Sequence, residues 1–160
     1  MNNLKELFDE STKIISEKIT VDYLYNLVKL YNGNDWIDHI IYLNDLTKYH
    51  KKLIFVNELI ELYIITWNVN SFSPIHDHPN NGCILKILSG KLDEYIYENI
   101  NGLTKFISEK NISTGEIGYR YGKQFIHKII NSNNDITVSL HIYSKPNYKA
   151  NIYLNSDFVF

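Results

Sequence analysis

Residues 76–90 read HDHPNNGCILKILSG. Two histidines stand one residue apart, an Asn-Gly turn follows, then the chain's only cysteine and an apolar run closed by Ser-Gly. In an extended chain His76 and His78 point to the same face, about 6.6 Å apart along the strand. Such a pair by itself is common in surface loops, so its surroundings must give it meaning.

Outward from that stretch the chain keeps a period of two. LIFVN and ELYIITWNV precede it, and KLDEYIYEN, GLTKFISEK, EIGYRYG, QFIHKII and DITVSLHIYS follow, all short runs rich in β-branched and aromatic residues. Gly, Asn, Ser or Pro punctuates nearly every junction. Regularly spaced short strands with tight turns imply a sandwich or a small barrel. In ITVSLHIYS, alternation sets Ser139, His141 and Tyr143 on one face and Leu140 and Ile142 on the other. Before Leu53 the period is helical: Leu4, Leu7, Phe8, Ile14, Ile15, Leu24, Leu27, Val28 and Tyr31 recur at three- and four-residue spacings from Asn3 to about Tyr42. Asp22 and Asn34 are the expected N-caps and Gly33 the expected helix stop. The reading is a single domain over 1–160, helical over 1–45 and a mainly β barrel over 50–160.

Composition narrows the partners. A chain of 160 residues buries roughly 70% of its unfolded surface, enough for one real core. A net charge of −2 offers no basic stripe for nucleic acid and no polybasic arm for anionic lipid. The opening MNNLKELFDE has no apolar leader core, and no later run approaches the roughly 18 residues of a membrane span. A cytoplasmic monomer is expected, with no nucleic acid or membrane partner. A single cysteine excludes an internal disulfide and a thiolate-rich zinc site, so any metal must be held by His or carboxylate. Arg120 is the one arginine among 16 basic residues, a skew that weakens any argument from Lys chosen over Arg.

A third ligand is needed to make a metal centre of His76 and His78. His127, in QFIHKII, is the best candidate; His39 and His50 lie in the helical half or its exit. Neutral imidazoles suit divalent iron as well as zinc, copper and nickel. The wider spacing resembles the first cupin motif: His78 is followed by PNNG, Cys83, ILKILS and Gly90, with Cys83 where cupins place a Glu. Gly115, His127 and Asn131 resemble the second motif, although Tyr121 and Gln124 fall near its Pro and Gly. With Cys83 in that position and SLHIYSKP downstream, the region from about Tyr49 to Pro146 looks like the thiol dioxygenases, and most like the cysteine dioxygenase family.

That resemblance implies a jelly-roll cupin barrel with Fe(II) on His76, His78 and His127. It implies a thioether between Cys83 and Tyr143, and Ser139 and His141 as the ladder that orients the Tyr143 hydroxyl. The implied reaction delivers both atoms of O2 to the sulfur of a small thiol, as in cysteine catabolism. A metal-bound thiol ionises readily, and a sulfinate is a recognised rung of sulfur oxidation. The family's Tyr-x-Arg segment, whose arginine grips the substrate carboxylate, is met here by Tyr49 and Lys51 in YHKKLIF. Lysine pairs with a carboxylate as a point charge without the fork. Substrate contact is therefore expected from Tyr49 with Lys51, Lys52 or Arg120. Cysteine is the first substrate choice, with 3-mercaptopropionate and cysteamine as alternatives; a cupin of different metal chemistry, or a non-catalytic ligand-binding cupin, is the rival class. Trp67 is read as a core aromatic, and Asp77 is expected to face away from the metal.

Overall fold

The computed structural model describes residues 1–18, 21–42 and 47–154. Two helices, α1 (Leu4–Ser16) and α2 (Val21–Leu30), and a 3-10 helix over Asp35–His39 precede ten strands: β1 (Tyr49–Val56), β2 (Glu61–Trp67), β3 (Ile75–His76), β4 (Cys83–Ser89), β5 (Lys91–Ile100), β6 (Leu103–Ser113), β7 (Ile117–Arg120), β8 (Phe125–Ile130), β9 (Thr137–Tyr143) and β10 (Ile152–Tyr153). The strands form two five-stranded antiparallel sheets, in the orders β1-β2-β9-β4-β7 and β10-β3-β8-β5-β6. The mainly β class with an N-terminal helical segment is thus what the chain adopts. Among the described residues no helix is long and apolar enough to cross a membrane.

The helices cover the outer face of the first sheet. Leu4, Leu7 and Phe8 of α1 and Leu24 and Val28 of α2 pack on Leu62 and Ile64 of β2, Ile84 of β4, and Leu140 and Ile142 of β9. A second cluster, including Ile65, Leu85, Ile87, Leu92, Ile112 and Ile129, lies between the sheets. Alternation explains both: one parity of each strand meets helices and the other meets the barrel interior.

Several local expectations are corrected. Strand character begins at Tyr49, ahead of Leu53, so Lys51 and Lys52 lie on β1. Asp22 lies within the first turn of α2 and is not its cap, while Asn3 caps α1 by accepting from the Glu6 N–H at 2.8 Å. Asn34 precedes the 3-10 helix without a side-chain capping bond. The stop of α2 is not a glycine. Lys86, buried on β4, donates to the carbonyls of Val28 at 3.0 Å, Lys29 at 3.2 Å and Tyr31 at 2.5 Å. An ammonium thus fills the orphan acceptors of a helix end. Gly33 instead lets the chain pass the Asn2 carbonyl, which a Cβ would strike. The expected boundary at residue 45 lies outside the described residues.

Candidate metal centre

The turn within HDHPNNGC shapes the site. Gly82 has φ +92°, donates its N–H to the Pro79 carbonyl at 2.8 Å, and sits where a Cβ would meet the Tyr119 ring. This tight turn carries the chain from His78 into β4 and delivers Cys83 to the interior. His76 lies opposite His127 in the β3–β8 pairing, which joins the two ends of the motif.

His76, His78 and His127 place one ligand nitrogen each within 4.8 Å of the others. Their ring centroids are 4.6 to 4.9 Å apart. His78 and His127 are each 2% exposed. Burial, reinforced by His127, lowers the His76 pKa to about 3, and burial likewise lowers those of His78 and His127. All three rings are neutral near pH 7, the state in which imidazole ligates.

Two of the three are oriented from behind. His76 Nδ1 lies 2.9 Å from the Pro74 carbonyl and His127 Nδ1 2.7 Å from Glu94 Oε1, so each Nδ1–H donates and each Nε2 keeps a free lone pair. His78 Nδ1 is buried with no partner, a polar atom that a bound group or water would satisfy. Three neutral, converging imidazoles fit a divalent transition metal, and their type suits ferrous iron.

Glu94 is the residue that sequence reasoning missed here. It is 1% exposed and receives His127, Arg120 Nε at 2.8 Å, Arg120 Nη2 at 2.6 Å and Lys110 Nζ at 3.2 Å. Burial alone would raise its pKa, but His127, Arg120 and Lys110 together hold it at about 2. Its signal was position: Glu94 shares strand parity with Leu92, an interior residue. Arg120 is committed to this carboxylate, with Nη1 donating to the Tyr119 carbonyl at 2.8 Å.

Beside the histidines, Cys83 and Tyr143 are cross-strand partners in the β4–β9 pairing. Cys83 is 2% exposed and lies directly beside Tyr143. Burial pushes the Cys83 pKa up to about 12, and loss of water around its hydroxyl raises that of Tyr143 well above the usual phenol range. Ser139 and His141 lie on the same face as expected, with Ser139 Oγ 2.9 Å from His141 Nε2. The other imidazole nitrogen, Nδ1, faces Cys83 Sγ at 3.7 Å, so the ladder meets Tyr143 through the thiol and not by a direct bond to its hydroxyl. Trp67 is the core aromatic expected, buried in the interior cluster, and it also extends the ladder: Nε1 donates to Ser139 Oγ at 2.8 Å, and its ring stacks on Tyr49 at 4.7 Å.

These groups enclose a cavity of about 180 Å³, into which Tyr49, Lys51, Arg120 and all three histidines face. Lys51 Nζ lies 4.4 Å from the Tyr63 ring centroid and 4.6 Å from that of Tyr143. Asp77, expected to face away from the metal, lies on the wall of the same cavity as the histidines, and its carboxylate holds the chain that closes it. It is 1% exposed and accepts from Tyr148 Oη at 2.9 Å, Asn151 N at 2.8 Å, Asn151 Nδ2 at 2.6 Å and Tyr153 Oη at 3.0 Å. It thereby pins residues 148–153, whose Tyr148, Ala150 and Ile152 wall the cavity.

Comparison with known proteins agrees with this geometry. Among solved structures, a recombinant oxalate oxidase in complex with glycolate matches with a TM-score of 0.58 at 14% identity, covering 75% of this chain and 65% of that one. A Klebsiella pneumoniae protein with a double-stranded β-helix domain matches with a TM-score of 0.55 at 14% identity, covering 73% and 87%. At such identity they establish the cupin fold alone. Cysteine dioxygenase type 1 of Danio rerio is 29% identical over 139 residues, 82% of this chain and 68% of that protein. The Rattus norvegicus protein is 28% identical over 138 residues, 81% and 68%. The family model for cysteine dioxygenase type I matches residues 3–156. The chain belongs to the cysteine dioxygenase type I family.

Proposed function

We propose that this protein is a non-heme iron thiol dioxygenase that converts a small thiol, with cysteine the first choice, to its sulfinate. The observation that carries the reading is the convergence of His76, His78 and His127 beside the Cys83–Tyr143 pair, in a chain of this family. The reaction balances without a further reductant: R–SH + O2 gives R–SO2H, the sulfur losing the four electrons that dioxygen gains. Fe(II) on the three histidines would lower the thiol pKa and activate dioxygen.

The chain's own groups do the rest. Glu94 fixes the His127 tautomer, and the Pro74 carbonyl fixes that of His76. Tyr143 offers a hydroxyl that stays protonated and can donate toward the substrate or the oxygen it acquires. Ser139 and His141 position Cys83 and, through it, that hydroxyl. A Cys83–Tyr143 thioether would lock the phenol ring; it joins Sγ to a ring carbon, and the two hydrogens and two electrons lost pass to dioxygen. Lys51 faces the substrate with Tyr49, whereas the Arg120 fork is filled by Glu94. The small cavity walled by residues 148–153 keeps bulk water from the sulfur.

The test is oxygen uptake by ferrous-loaded protein with cysteine, cysteamine and 3-mercaptopropionate, the products weighed by mass spectrometry. One thiol is expected to gain two oxygen atoms with one O2 consumed per turnover. No uptake with any of them, at full iron loading, sinks the reading. Intact mass of protein after turnover reports the thioether as a loss of two hydrogens.

A further inference from the structure

Of the chain's thirteen tyrosines, two meet ring to ring beside the metal centre. Tyr63 of β2 and Tyr143 of β9 lie edge to face, with ring centroids 5.9 Å apart and planes at 89°. Their surroundings differ. Tyr143 lines the cavity together with His76, His78 and His127, whereas Tyr63 is not among the residues that line it. Tyr63 packs against the interior cluster and is half-buried, in a strand whose other six residues are buried. One ring faces the chemistry, its neighbour is reached by water, and the two touch.

Phenols are among the side chains that give up one electron most readily. Among the described residues the rings in contact with Tyr143 are those of Tyr63 and His141, and a neutral imidazole is far harder to oxidise. An electron vacancy on Tyr143 therefore has one ring to move to. The Lys51 ammonium lies 4.4 Å from the Tyr63 centroid and 4.6 Å from that of Tyr143. At such similar distances its charge acts on both rings almost alike and favours neither.

We propose that Tyr63 is a redox relay that draws oxidising equivalents out of the site and passes them to thiols in solution. The inference rests on the dioxygenase reading for the source of the oxidant, dioxygen activated at the site with no thiol seated there. Tyr143 supplies the first electron and proton and becomes a phenoxyl radical. Tyr63–OH then gives an electron and a proton, which restores Tyr143–OH and leaves Tyr63–O•. A thiol at the surface returns Tyr63 to its phenol, and two thiyl radicals pair as a disulfide. Over the full cycle four R–SH and one O2 give two R–S–S–R and two H2O, so atoms and electrons balance. The donor has no need to enter the cavity of about 180 Å³, so a bulky thiol such as the tripeptide glutathione serves. A radical left on Tyr143 would instead damage Cys83 and the ring itself.

The experiment gives oxygen to ferrous-loaded wild type and Tyr63→Phe, freed of unbound iron, with glutathione as the sole thiol. Electron paramagnetic resonance after rapid freezing follows the phenoxyl signal, and glutathione disulfide and the sites of oxidation are read by mass spectrometry. Wild type is expected to show a short-lived signal and to make disulfide. In Tyr63→Phe the signal is expected to outlast that of wild type, disulfide formation to be lost, and oxygen adducts to accumulate on Cys83 and Tyr143. The initial kcat/KM with cysteine is expected to stay within about twofold of wild type, because Tyr63 lies outside the cavity. Equal signal lifetimes and equal disulfide in the two proteins overturn the relay while leaving the dioxygenase intact. Absence of dioxygenation by both proteins, together with the expected difference with glutathione, sinks the dioxygenase reading and leaves the relay standing. Should Tyr63→Phe fail to fold, wild type alone decides the matter: N-acetyltyramine added during the reaction couples to a surface phenoxyl, and its mass tag is expected on Tyr63. A tag confined to other tyrosines overturns the proposal.

Discussion

Glu94 ties the metal-facing His127 on β8 to Arg120 on β7 and Lys110 on β6. An imidazole whose Nδ1–H donates to a carboxylate is a better donor to metal and cannot rotate. Glu94→Gln keeps a hydrogen-bond acceptor but removes the charge that Arg120 and Lys110 hold in place. Iron affinity, measured by competition with a chelator, is expected to fall by about 10- to 100-fold. An unchanged affinity would mean that Glu94 serves Arg120 and Lys110 and not the metal ligand. No local pattern links Glu94 to these three partners, so its role is not legible in the sequence. The histidines are legible, because His76 and His78 share a parity and His127 lies in a strand of its own, and the same alternation marks Ser139, His141 and Tyr143.

At the scale of elements, strands were easier to read than helix ends. Period-two runs located nearly all of the barrel, whereas α2 ends on Lys86, 55 or more positions away from the carbonyls it caps, and no helix-stop rule contains such a partner. The strap over residues 148–153 escaped notice for a related reason: β10 is two residues long and, among the described residues, pairs only with the two-residue β3. So short a pairing supplies little ladder, and the Asp77 carboxylate carries the load with four accepted bonds. Asp77→Asn leaves one acceptor oxygen and turns the other position into a donor facing donors. The cost is expected to be about 2 kcal/mol, comparable to losing a hydrogen bond to a charged group. Amide exchange at Asn151 is expected to accelerate far more than exchange at Leu140 in the barrel core. Equal protection of Asn151 in the variant would show that the strap is held by the Tyr148 and Ile152 contacts instead.

For the whole molecule, the same burial that builds the pocket couples its stability to alkaline pH. The Cys83 thiol keeps its proton in the folded protein to about 12, against an ordinary value of 9.0, because its charged form has no water to solvate it. Tyr148 is pushed up to about 12 by loss of water and by Asp77, and Tyr143 and Tyr31 are raised as well. Each group has a folded pKa above its unfolded one, so the stability it contributes is complete below the unfolded value and is lost as pH rises toward the folded value. From about pH 9 the unfolded chain releases the thiol proton and the folded chain does not. One such group costs about 1.4 kcal/mol per pH unit through that window. Denaturant unfolding of protein never exposed to iron and a thiol, so that Cys83 still titrates, is expected to show stability falling from pH 9 upward. Cys83→Ala starts lower at pH 7 because it leaves a cavity, yet its slope between pH 9 and 10 is expected to be shallower by that one proton. The slope separates the two effects, since a cavity has no pH dependence. Parallel slopes would place the alkaline loss on the tyrosines alone and show that the thiol is no better shielded from water in the folded chain than in the unfolded one.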